Sequence, residues 1–184
     1  MNKHFFVSLM LGILISASAY GQQAQPASDQ PVVNEHLKPF LPFVGKTWRG
    51  EFANATAEKP MVDVSRWELI LNGQAIRIMH SVNDGSYGGE TIIYWDRDKQ
   101  QLLFFYFTTA GFYTTGTFTV DGEKLISHEL VTGNPNGITE VKAIGELLPD
   151  GRMHSKSQYL QNGQWVDGHE IFYKEDATAR VVFK

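Results

Sequence analysis

From about residue 47 onward, apolar and polar positions alternate in short blocks, and turn dipeptides break the blocks at regular intervals. WELIL and QAIRI flank Asn72-Gly73, GTFTV and EKLISH flank Asp121-Gly122, and SQYLQ and QWVDGHEIFY flank Asn162-Gly163. Asp150-Gly151 divides AIGELLP from RMHSKS, and Asp96 to Lys99 divides TIIYW from QLLFFYF. Asn-Gly and Asp-Gly are hairpin signals because tight turns between twisted strands need positive φ. The pattern predicts about ten strands, beginning near Thr47, Val62, Gln74, Gly88, Gln101, Tyr113, Lys124, Ile138, Arg152 and Gln164. Successive hairpins with no helical block between them make an antiparallel meander. A meander this long removes its exposed edges by closing. The predicted fold is all-β, an up-and-down barrel wide enough for a cavity. A two-sheet sandwich is the alternative, and the even chain of hairpins argues against the long crossings of a Greek key.

One block breaks the alternation. Leu102, Leu103, Phe104, Phe105, Tyr106 and Phe107 run without a polar residue, so both faces of that strand are apolar. Leaving three large side chains in water forgoes roughly 5–9 kcal/mol, comparable with a domain's whole stability. One face, Phe104 and Tyr106, is expected to line the interior. The other, Leu103, Phe105 and Phe107, is expected to need a cover. The apolar segment Leu37 to Val44 can supply it or can close a barrel end; a second subunit, making a homodimer, is the preferred cover.

The flanks have a different composition. Lys3, the apolar run Phe5 to Ile15 and the small residues Ala17-Ser18-Ala19 read as a secretory signal peptide, residues 1–19. Residues 20–35 are rich in Gln, Pro, Ala and Ser and read as a flexible linker. The segment HLKPFLPFV carries Pro39 and Pro42, which limit it to a short helical turn. The barrel domain is expected over residues 36–175, with 176–184 as a tail or short extra strand. The chain has no cysteine, so no disulfide and no lipoprotein anchor residue. Expected localisation is periplasmic or secreted. Lys and Arg number 16 against 20 Asp and Glu, and losing Lys3 with the leader makes the remainder more negative still. No basic cluster stands out, which argues against nucleic acid as a partner. After the leader no stretch is long and apolar enough for a helical membrane span.

The order PFVGKTWRGEF, SRWELILNGQAIR, GGETIIYWDRDKQQLLFFYF, GTFTVDGEKL and QNGQWVDGHEIFYKE resembles the DUF1579 family, over most of residues 40–175. The resemblance implies a calycin-like, lipocalin-like bacterial β-barrel. Lipocalins and nitrobindin-type barrels open with Gly-x-Trp, whereas Gly45 and Trp48 here have two residues between them. The family has no settled activity, so the resemblance implies a fold rather than a reaction.

Candidate chemistry lies in the aromatics and histidines. Apolar pockets with a few placed polar groups are the usual ligand sites. Trp48, Trp67, Tyr94, Phe104, Tyr106, Phe118, Tyr159 and Trp165 fall on strands and are candidate cavity residues. His128 joins them because it alternates with Ile126 and Leu130. His80 alternates with Ile76 and Ile78, and His169 with Trp165, Ile171 and Tyr173, while His154 shares a polar face with Arg152 and Lys156. Histidines in such positions are more often hydrogen-bonded core residues than metal ligands, and none has metal-site spacing. No metal site and no catalytic residue is assigned. Haem is the one candidate cofactor, by analogy with nitrobindin-type barrels. Asp96 and Asp98 read as turn-capping residues, and Glu129 reads equally as inward or outward. The glycine-rich stretch Ser81 to Glu90 has no helix behind it and reads as a loop at the barrel mouth. The expected function is binding of a small apolar or amphipathic molecule. The alternatives are a cavity enzyme with His128 or His80 as general base, and a filled barrel acting as an interaction protein.

Overall fold

The computed structural model describes residues 32–184. The expected signal peptide and residues 20–31 of the expected linker lie outside the described residues. Ten strands follow in order: β1 (Thr47–Phe52), β2 (Val62–Ile70), β3 (Ala75–Val82), β4 (Tyr87–Asp96), β5 (Gln101–Thr108), β6 (Tyr113–Asp121), β7 (Lys124–Thr132), β8 (Ile138–Leu147), β9 (Met153–Gln161) and β10 (Gln164–Glu175). Each pairs antiparallel with its neighbours in sequence, and β1 pairs with β10 to close the barrel. The predicted barrel and its strand starts are borne out to within about a residue.

The turn chemistry explains the register. Asn162 and Gly163 both have positive φ, as a two-residue hairpin between Gln161 and Gln164 demands. The β6–β7 turn is shifted by one: Asp121 pairs with Lys124, so Gly122 and Glu123 form the loop rather than Asp121-Gly122.

One barrel end is plugged. A 3-10 turn, Glu35–Phe40, places Leu37 and Phe40 inside, and Phe43 follows them. They meet Trp48, Trp67, Ile76 and Ile93 in the main hydrophobic core. Phe43 packs against Trp67 at 5.2 Å between ring centres, and Phe40 meets Phe118 edge-on at 5.3 Å. The Trp48 indole donates to the Phe43 carbonyl at 3.1 Å. The segment Leu37–Val44 is therefore a floor, and among the described residues nothing covers the outer face of β5. Phe105 is 40% exposed and Phe107 55%, with the two rings stacked at 6.4 Å. Tyr113 on β6 and Leu130 on β7 extend this outer patch.

Residues 176–184 form no strand. The tail returns to β3, where the Val182 amide donates to the buried Ser81 hydroxyl at 3.0 Å. At the end opposite the floor, the loops β1–β2, β3–β4, β5–β6 and β7–β8 surround an open mouth. The glycine-rich stretch predicted as a mouth loop is mostly strand, with a tight turn at Asn83–Gly85 that does border the mouth.

Candidate functional site

Above the floor the barrel holds a cavity of about 780 Å³ that opens at the mouth. Its base is apolar: Ile78 from β3, Phe104 from β5 and Phe118 from β6. Its rim carries neutral polar groups, among them Asn83, Ser86, Asn134 and Asn136. Between them runs a belt of hydrogen-bonded polar side chains.

The belt begins at Asp63 on β2, whose carboxylate is only 3% exposed. It accepts from the Tyr173 hydroxyl at 2.9 Å and pairs with His80 Nδ1 at 2.8 Å. An ionised carboxylate only accepts, so Nδ1 carries the proton and a neutral His80 has a bare Nε2. That nitrogen lies 2.8 Å from the Tyr106 hydroxyl, which therefore donates to it. The Tyr106 oxygen lies 2.7 Å from the Tyr87 hydroxyl, and with its own proton committed it accepts from Tyr87. The chain thus runs Tyr87 to Tyr106 to His80 to Asp63. Burial raises the phenol pKa of Tyr87, Tyr106 and Tyr173, keeping all three hydroxyls protonated. Gly89, beside His80 in the β3–β4 register, leaves the space that the Tyr106 ring fills. Gly50 does the same for Tyr173, where a Cβ would lie 2.7 Å from the ring.

Two more groups complete the belt. His169 on β10 sets Nδ1 against the Tyr159 hydroxyl at 2.7 Å and the Ser157 hydroxyl at 3.0 Å. Burial lowers its pKa to about 4, so the imidazole is neutral at pH 7. Glu129 on β7 accepts from Thr114 at 2.9 Å through one carboxylate oxygen. Its other oxygen has no donor among the described residues, and the side chain lines the cavity. Burial outweighs the Thr114 bond and the His128 charge, raising the Glu129 pKa to about 7. Among the described residues no lysine or arginine lines the cavity.

Of the residues expected in the cavity, Phe104, Tyr106, Phe118 and Tyr159 line it. Trp48 and Trp67 are inward but belong to the floor core. Three placements are corrected. Tyr94 points outward, paired with outward Leu103. His128 is outside and bonds Glu140 at 2.7 Å. Its alternation with Ile126 and Leu130 misleads because those residues are on the outer face, while Ser127 and Glu129 face in. Trp165 lies outside under Lys142, 4.3 Å from its ring centre. A β-bulge between Asp167 and Glu170 reverses the strand's parity, which puts His169 inside and Trp165 outside. His154 sits on the outer surface between Glu146 and Glu170. Asp63 and Ser157 escape sequence reasoning, since a polar residue on a strand ordinarily reads as outward. The retrievable signal is their glycine neighbours, Gly50 opposite Asp63 and Gly168 against Ser157, which mark close approaches.

No family model matches the chain, and no curated protein matches it, so the DUF1579 resemblance rests on the motifs quoted above. Among solved structures the chain is similar to Rv2717c from M. tuberculosis, with a TM-score of 0.60 and 14% identity over 79% of this chain and 99% of that one. A likeness at that identity shows the barrel fold alone.

Proposed function

We propose that this protein is an exported barrel that binds a small amphipathic molecule in its cavity. The single observation that supports this reading is the cavity itself: about 780 Å³, apolar at its base, polar at its waist and open at one end. That volume falls within the range of small-molecule sites. The leader-like residues 1–19 support export.

The state of the belt argues against His80 as a general base. A general base needs a free lone pair within reach of substrate. His80 has both ring nitrogens engaged, by Asp63 and Tyr106. The raised phenol pKa of Tyr106 makes it a poor nucleophile. The same engagement leaves His80 no nitrogen for a haem iron. Native mass spectrometry of the purified mature protein tests the reading. A co-purifying small molecule, released on unfolding, is the expected result. A barrel that carries nothing and also fails to take up an environment-sensitive apolar dye overturns it.

A further inference from the structure

We infer that the cavity selects a ligand carrying a protonated amine, seated on the free oxygen of Glu129. The inference rests on the binding reading and narrows its ligand class.

The Tyr173 proton goes to Asp63, the Tyr106 proton to His80 and the Tyr87 proton to Tyr106. Each hydroxyl proton in this chain is spent on a protein acceptor. What Tyr87 and Tyr106 show the cavity is oxygen lone pairs. Glu129 adds a carboxylate oxygen with no protein donor among the described residues. With no lysine or arginine among the described residues of the lining, a carboxylate or phosphate ligand meets no countercharge there. A carboxylate ligand would instead share the space with Asp63 and Glu129, at a repulsive cost. An ammonium group is the reverse image: three donors, no acceptor and a positive charge. The aromatic rings of Phe112, Tyr87 and Phe118 line the same space and favour a cation and its apolar tail. The base of Ile78, Phe104 and Phe118 takes the tail. Ionisation of Glu129 near pH 7 makes the seat responsive to pH. The other titratable groups around this cavity are Asp63, His80, His169 and the four tyrosines, with His128 behind Glu129 on the outer face.

The test is calorimetric titration with n-decylamine, 1-decanol and decanoate, on the wild type and on Glu129→Gln. At pH 8 decylamine is expected to bind about tenfold or more tighter than decanoate, the worth of one charge-assisted hydrogen bond. Glu129→Gln is expected to lose that preference and to hold decanol within about twofold of wild type. In the wild type alone, decylamine affinity is expected to rise between pH 6 and pH 8. Decanoate binding as tightly as decylamine, or an amine affinity flat with pH and indifferent to Glu129→Gln, overturns the inference and leaves the binding reading standing. If none of the three binds, the binding reading falls, and the inference with it.

Discussion

On β5, Phe104 and Tyr106 face inward while Phe105 and Phe107, one residue along, face outward. The chemistry of the two faces is nearly the same, and their surroundings are not. Phe104 sits against Phe118 at 4.9 Å and is buried, and Tyr106 is held by His80 and Tyr87. Phe105 and Phe107 touch each other and Tyr113 and meet water. β7 shows the reverse pairing, with polar Ser127 and Glu129 inside and apolar Ile126 and Leu130 outside. Hydrophobicity therefore does not locate this interior. What marks it is the presence of partners: inward polar groups are tied to one another around a cavity, and outward apolar groups have nothing among the described residues to cover them.

That contrast can be broken by substitution. Phe104→Ala is expected to cost about 3–5 kcal/mol, because it removes a buried ring between the floor and the cavity; denaturant unfolding measures it. A loss below about 1 kcal/mol would show that the inner face of β5 does not hold the barrel together.

The second test uses pH. The folded Glu129 pKa of about 7 lies above its ordinary 4.5, so the folded state binds more protons between those values and Glu129 makes stability fall as pH rises through them. The folded His169 pKa of about 4 lies below its ordinary 6.5, so the unfolded state binds more protons there and His169 makes stability rise from pH 4 to 6.5. In the wild type the two slopes oppose each other over most of the same window. Glu129→Gln is expected to unmask a rise in stability from pH 4 to 6.5, and His169→Gln a fall from pH 4.5 to 7, each up to about 3 kcal/mol. Thermal unfolding across this range reads both; parallel profiles for the two variants would contradict the placement of these groups in the cavity.

Tyr106→Phe removes the central hydroxyl of the belt and is expected to cost about 1–3 kcal/mol, as His80 Nε2 loses its donor and Tyr87 its acceptor. The histidine Nε2 chemical shift is expected to move with it. The smallest effect belongs outside. Phe107→Ser is expected to change stability by no more than about 0.5 kcal/mol. If it costs as much as Phe104→Ala, something outside the described residues covers the outer face, and the sedimentation mass in solution then separates a second copy of the chain from another cover.

The fold was legible because its signals are local. Asn162-Gly163 has the φ values its hairpin needs, and strand lengths follow from turn spacing. The aromatic part of the cavity was legible too, through Phe104, Tyr106, Phe118 and Tyr159. The belt was not. Glu129 reads equally as inward or outward from its neighbours, and the apolar Ile126 and Leu130 draw His128 inward in the sequence, although both lie on the outer face. Trp165 is misplaced by a bulge between Asp167 and Glu170, whose one local sign is Gly168 within the strand. Asp63 finds Tyr173 across 110 positions of chain, a pairing that only barrel closure makes.

The most direct test of the cavity is NMR mapping during titration with n-decylamine. Ligand in the barrel is expected to move signals of Tyr106, Phe118 and Glu129 and to leave Phe105 and Phe107 in place. Perturbation confined to Phe105, Phe107 and Tyr113 would contradict the account and put the binding surface on the outside of the barrel.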